Sequence, residues 1–277
     1  MDILQGIIIG IVQGLTEFLP VSSSAHLVFI QNILGVESSL AFDTFLHLGS
    51  LLAVLWFFRG DIIKMIRSWI GSIQDILQGR FKEGFYSDPY KRLAWYVILA
   101  TIPVGLVGVL FDDAVESLFS GALYVPAFFL FVTGTILYLS QRMSSGNINY
   151  DNITKKEALW MGLGQACAIL PGLSRSGTTI AAGLTVGLDK EFAAKFSFIL
   201  SIPAIFGAFV FQLKDIGGAL DVNFLPIILG FIAAFIAAYA AIKWMLELIQ
   251  KRSLDIFAYY CWIVGIVVFM GSIAHIF

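Results

Sequence analysis

Glu17, Ser23, His26 and Arg175 are the side chains of this sequence best equipped for bond-making chemistry, and each stands in otherwise apolar sequence. The first three belong to a polar knot, Gln13-Gly14-Leu15-Thr16-Glu17-Phe18-Leu19-Pro20-Val21-Ser22-Ser23-Ser24-Ala25-His26. The fourth belongs to a second, Leu170-Pro171-Gly172-Leu173-Ser174-Arg175-Ser176-Gly177-Thr178-Thr179. A charge at membrane depth costs roughly 2.5 kcal/mol or more, so charges kept there are expected to be used. A carboxylate, an imidazole and three hydroxyls supply a general acid or base, a nucleophile and oxygen ligands for a divalent cation. Glu17 or His26 is the candidate base, and Glu17 is the candidate cation ligand. Gln13 lies four residues before it, on the same helix face. Ser22, Ser23 and Ser24 follow Pro20 and start the next helix.

The second knot has a different chemistry. Ser174, Arg175, Ser176, Gly177, Thr178 and Thr179 open a helix, whose N-terminus presents free N–H groups and the positive end of its dipole. A guanidinium stays charged in a low dielectric and grips phosphate through paired N–H donors. These residues are the expected cradle for phosphoryl oxygens, with Gln13, Ser22 and Ser24 as binding partners from the first knot. Blander roles compete at each position: capping for the serines, an internal hydrogen bond for His26, a buried ion pair for Glu17 with Arg175. The constellation is more specific than its members.

The elements that hold the knots follow from composition. Of the 277 residues, 58% are hydrophobic and 13% charged, about half the charge of a soluble domain, which carries about 25%. The net charge of −2 gives no basic face for nucleic acid. The expected fold is an all-α polytopic membrane bundle forming a single domain over 1–277. Six segments suit crossing helices: 42–58, 93–111, 122–139, 192–211, 226–246 and 256–276. Two shorter pairs, 3–18 with 23–34 and 158–170 with 174–186, carry Leu-Pro between them. Proline stops the first helix of each pair and Ser caps the second, the pattern of a re-entrant hairpin. Cys167 and Cys261 both read as buried hydrophobes. Asp43 and His47 read as packing or local hydrogen bonding.

Arg59, Lys64, Arg67, Arg80, Lys82, Lys91 and Arg92 in loop 59–92, with the basic residues of loops 140–157, 187–191 and 247–255, outnumber those of loops 35–41, 112–121 and 212–225, which hold only Lys214. Lys/Arg-rich loops stay cytoplasmic. Both termini, and the opening of the first hairpin, are then expected outside. Ile62, Ile63, Ile66, Ile70 and Ile73 suggest an amphipathic helix on the inner surface. Each half, about 1–140 and 155–277, reads as a hairpin plus three spans. An odd number of spans inverts the second half, giving an inverted-topology repeat.

At the knots the chain resembles the undecaprenyl-diphosphatase family, integral membrane phosphatases linked to bacitracin resistance. The likeness rests on Gly14 through Ser23 with His26, on Pro171 through Gly177, and on Phe42-Asp43 with Leu46-His47-Leu48-Gly49-Ser50-Leu51-Leu52-Ala53-Val54. The resemblance implies hydrolysis of a polyprenyl (C55) diphosphate to the monophosphate and phosphate, recycling the lipid carrier of envelope synthesis at the plasma membrane. It implies a divalent cation, Mg or Ca, and active-site roles for Glu17, Ser23, His26 and Arg175. Gln13 stands where the family has Glu or Gln, and an amide is a neutral ligand. Ala25 and Thr178 stand where Gly and Ala are frequent. Ser23, His26 or a water activated by Glu17 are the alternative nucleophiles. A lipid-phosphate translocase is the rival function, and a homo-oligomer is compatible with the chain.

Overall fold

The computed structural model describes residues 1–37, 40–111, 123–216, 224–251 and 253–274. The expected loop 112–121, residues 217–223 of loop 212–225, and Arg252 therefore lie outside the described residues, as do the start of segment 122–139 and the end of 256–276. Twelve helices follow in order among the described residues. They are α1 (Ile3–Phe18), α2 (Ser23–Leu34), α3 (Leu40–Phe57), α4 (Arg59–Leu77), α5 (Phe81–Ser87), α6 (Pro89–Leu110), α7 (Tyr124–Met143), α8 (Lys155–Cys167), α9 (Arg175–Thr185), α10 (Lys190–Ile216), α11 (Phe224–Lys251) and α12 (Asp255–Ile273). No strand occurs among the described residues.

Five of these helices, α6, α7, α10, α11 and α12, are long and apolar enough to cross a membrane, and a sixth span results if α3 and α4 count as one broken by an 80° bend. On α4, Ile63, Ile66, Ile70 and Ile73 are all exposed, an apolar stripe on a helix that also carries Asp61, Lys64 and Arg67. That is the expected amphipathic pattern. Large apolar side chains are equally exposed along α6, α11 and α12, which a chain in water would bury and a chain in lipid need not.

The breaks between paired helices have local causes. Asp2 caps α1 through a reciprocal box with Gln5. Leu19 leaves the helix with ψ 143 because Pro20 disfavours a helical backbone before it. Ser22 then adopts φ 67, the only positive φ at a non-glycine among the described residues, and caps α2. The left-handed position thus falls on Ser22, while Ala25 is helical. In the second pair, α8 ends at Cys167 and the chain turns through Gly172, φ 93, before Ser174 caps α9. A Cβ on Gly172 would also meet the Pro126 carbonyl oxygen at 2.2 Å.

Small residues let α1 lie directly on α11. A Cβ added at Gly10 would come within 2.2 Å of the Gly230 carbonyl oxygen, and one at Gly14 within 2.3 Å of that of Ala234. Such close backbone approach is how helices bind one another in lipid, where hydrophobic attraction is absent. Gly10→Leu is expected to cost roughly 3 kcal/mol or more, by forcing the helices apart. A thermal melt in detergent checks this, and an unchanged midpoint would refute the packing argument. α8 meets α6 in the same way, Gly162 facing the Ala100 carbonyl at 2.3 Å from a Cβ.

Candidate active site

Glu17 and Arg175 meet, although 158 residues separate them. The last turn of α1 delivers Glu17, and the first residue of α9 delivers Arg175. Arg175 Nη2 donates to Glu17 Oε1 at 2.8 Å and to the Glu17 carbonyl at 3.4 Å. Nη1 donates to the Ser197 carbonyl of α10 at 3.3 Å, and the guanidinium lies 5.8 Å from the centre of the Phe18 ring. Phe18 is in turn held edge-on by Phe198 at 5.3 Å. The pair is shielded from water: the Glu17 side chain is 5% exposed and that of Arg175 16%.

The second oxygen of Glu17 faces the first knot. Ser23 Oγ donates to Oε2 at 2.8 Å, and Gln13 Nε2 donates to the same atom at 2.9 Å. His47 Nε2 stands 3.7 Å from it, while His47 Nδ1 bonds the Asp43 carbonyl at 2.8 Å. A carbonyl only accepts, so Nδ1 carries the hydrogen and Nε2 is the nitrogen turned towards Glu17. His47 makes the local hydrogen bond expected of it, and it also reaches the knot.

His26 is oriented differently from the other members. Its Nδ1 bonds the Ser22 carbonyl at 2.8 Å and its Nε2 the Tyr260 hydroxyl at 2.8 Å. Its ring stacks on Tyr260 with centroids 5.7 Å apart. Nδ1 therefore donates, and neutral Nε2 accepts from tyrosine. The imidazole thus ties down the carbonyl of the left-handed Ser22, which fixes where Ser23 begins α2. Tyr260→Phe removes one hydrogen bond and keeps the stacking. The expected loss in kcat/KM is at most about tenfold, the equivalent of one such bond. A loss as deep as that of Ser23→Ala would instead put the tyrosine hydroxyl on the reacting phosphoryl group.

The hydroxyls of the second knot are spent on structure. Ser174 Oγ accepts from Gly177 N at 3.0 Å, and Ser176 Oγ donates to the Leu19 carbonyl at 2.9 Å. Thr178 Oγ1 donates to the Ser174 carbonyl at 2.7 Å, and Thr179 Oγ1 lies 2.6 Å from Ser197 Oγ. All four residues, and Gly177, are buried. Ser176, with Gly172 N donating to Ser24 Oγ at 3.3 Å, sews the second knot onto the first. Ser22 Oγ lies 3.2 Å from Ser24 Oγ. Ser23, Ser24, His26 and His47 stay half-buried and form the open side of the cluster.

Several partners carried no sequence signal. Ser197, Thr133 and Tyr260 are single polar residues in apolar helices. Only the fold shows that Thr133 Oγ1 accepts from Ser174 N at 3.0 Å, or that Ser197 supports Arg175. Of the two cysteines, both free, Cys261 is buried as expected and Cys167 is exposed. Cavities of about 310 and 360 Å³ lie at the far end of α3, around Phe58, Met65 and Val97, and include no knot residue.

The donor set does not fit a resident cation. Each oxygen of Glu17 already accepts from a neighbouring donor, and among the described residues no group of three or more His, Cys, Asp or Glu side chains gathers around a common point. Gln13 Oε1 is buried without a partner.

A family model described as "Bacitracin resistance protein BacA" matches residues 6–267. The chain belongs to the BacA family. A BacA relative from Methanobrevibacter smithii, named undecaprenyl-diphosphatase, is 80% identical over the whole of both chains. Relatives of the same name from Methanosphaera stadtmanae and Carboxydothermus hydrogenoformans are 49% and 41% identical, over 99% and 97% of each chain. The BacA match includes both knots.

Proposed function

We propose that this BacA protein is an undecaprenyl-diphosphate phosphatase, hydrolysing the membrane-held diphosphate to the monophosphate and phosphate and so recycling the lipid carrier of cell-envelope synthesis. One observation carries the reading: Glu17 accepts from the Ser23 hydroxyl on one oxygen and from Arg175 on the other. A nucleophile and a phosphate-binding cation thereby share one carboxylate, which is placed to act as the base. That is the arrangement phosphoryl transfer needs, since the reaction asks for positioning and charge stabilisation above all.

In this reading Ser23 Oγ attacks the terminal phosphorus and Glu17 takes its proton. Arg175 turns its remaining N–H donors to the phosphoryl oxygens and stabilises the charge that spreads over them. Ser24, at the open side, positions the group under attack. Ser174, Ser176, Gly177, Thr178 and Thr179 hold Arg175 in place rather than touching phosphate. His26 fixes the turn that aims Ser23.

The same proposal includes the finer architecture. The paired helices α1–α2 and α8–α9 are re-entrant hairpins in two inverted repeats of one membrane domain. The matching contacts of α1 with α11 and α8 with α6 support this. The bias of Lys and Arg towards loops 59–92 and 140–157 supports a site opening to the outer side. The two hairpins are chemically unlike, one holding Glu17 and Ser23 and the other Arg175. That division suits one composite catalytic site better than the symmetric gate of a translocase.

The test is phosphate release from undecaprenyl diphosphate by purified protein in detergent. Release is expected from wild type. None from wild-type protein that still moves the lipid across vesicle bilayers would overturn the enzyme in favour of a translocase.

A further inference from the structure

We infer that this chain keeps no divalent cation of its own and receives the ion already bound to the diphosphate, an inference that rests on the phosphatase reading above. The Gln13 side chain is fully buried and its Nε2 lies 2.9 Å from Glu17 Oε2. Turning the amide over would set two acceptor oxygens against each other at that distance, so the donor must face Glu17. A cation bound at Glu17 would have to displace this N–H, the Ser23 hydroxyl or the guanidinium. In addition, Glu17 and Arg175 cancel each other's charge. A divalent ion added to them alone would be an uncompensated double charge in a buried site, which is strongly disfavoured. A diphosphate brings the missing negative charge.

The same geometry leaves one acceptor over. Gln13 Oε1 is buried and bonded to nothing among the described residues. A buried polar atom without a partner costs about 1–3 kcal/mol, a cost relieved by an ion, or an ion's water, that arrives with substrate. Magnesium in particular keeps its waters, takes few protein ligands and is completed by substrate phosphates. Gln13 Oε1 is the neutral oxygen that such a shared ion would meet. A second carboxylate at position 13 would instead give the empty enzyme an ion site.

Manganese serves as the probe, being an oxygen-seeking divalent ion that is counted directly. Full-length, metal-free protein in detergent is mixed with Mn²⁺, with or without a non-hydrolysable prenyl methylenediphosphonate, and the metal eluting with the protein is measured after gel filtration. Without the analogue the expected occupancy is below about 0.1 ion per chain, rising towards about one with it, as binding linkage requires. Gln13→Glu is expected to retain manganese without the analogue, at least about tenfold more than wild type. Stoichiometric manganese on the wild-type chain alone overturns the inference, and so does an analogue that binds without bringing the metal. Absence of phosphate release with an analogue that fails to bind would instead overturn the phosphatase reading. The wild-type measurement decides even if Gln13→Glu fails to fold.

Discussion

Glu17→Gln is expected to lower kcat by roughly 10³-fold, within the range that a positioned general base supplies, while the affinity for a diphosphate analogue changes little. The amide keeps the size of the carboxylate and an oxygen for Arg175, but it has no capacity to take the Ser23 proton held at 2.8 Å. It also deprives Arg175 of its counter-charge at 2.8 Å. Removing one partner of a buried pair outright costs about 3–5 kcal/mol, so Glu17→Ala confounds loss of chemistry with loss of fold. The isosteric change is the cleaner experiment, because the oxygen facing Arg175 is kept. Phosphate release measured beside a detergent melt separates the two effects. Turnover within about tenfold of wild type in a folded Glu17→Gln protein would show that the proton goes elsewhere.

That assignment was only half legible in the sequence. The Leu-Pro breaks after Glu17 and before Arg175 announced both helix pairs, and the bounds 3–18 and 23–34 expected for the first pair are those observed. Apolar length gave the long helices for the same reason: it is a property of a local segment. Partner choice is not local. Nothing in the spacing of the serines that flank Arg175 distinguishes a hydroxyl that grips phosphate from one that caps a helix, and the fold spends Ser174 on a cap and Ser176 on the Leu19 carbonyl. His26 shows the same limit. Its place in the first knot suggests a base for a neighbouring serine, and only the fold shows that its Nε2 faces Tyr260, 234 residues away. His47, which read as local packing, comes within 3.7 Å of Glu17 because α3 returns past the end of α1.

Trapping the reaction in acid is expected to leave label from the terminal phosphate on Ser23, as a phosphoester stable to acid and cleaved by alkali. Ser23 is the first residue of α2, placed by a turn that is itself strained. Ser22 sits at φ 67, and both the backbone N and Nδ1 of His26 hold its carbonyl, at 3.3 and 2.8 Å. Strain of this kind, about 1–3 kcal/mol, persists only where the surroundings over-determine it, and here it aims a half-buried hydroxyl at a carboxylate. In the first step of the proposed reaction the Oγ–P bond forms as the bond from that phosphorus to the bridging oxygen breaks. The proton passes to Glu17 and prenyl monophosphate leaves. In the second, water cleaves the phosphoserine and Glu17 returns the proton. Ser23→Ala is therefore expected to lose both the label and turnover, the latter by about 10⁶-fold, as removal of a covalent nucleophile does. Its fold should survive, because the lost hydroxyl leaves Glu17 still bonded to Gln13 and Arg175. An acid-labile label would place the phosphoryl group on His26 and sink the assignment. Unlabelled wild type together with Ser23→Ala turnover within about tenfold of it would mean that water attacks directly.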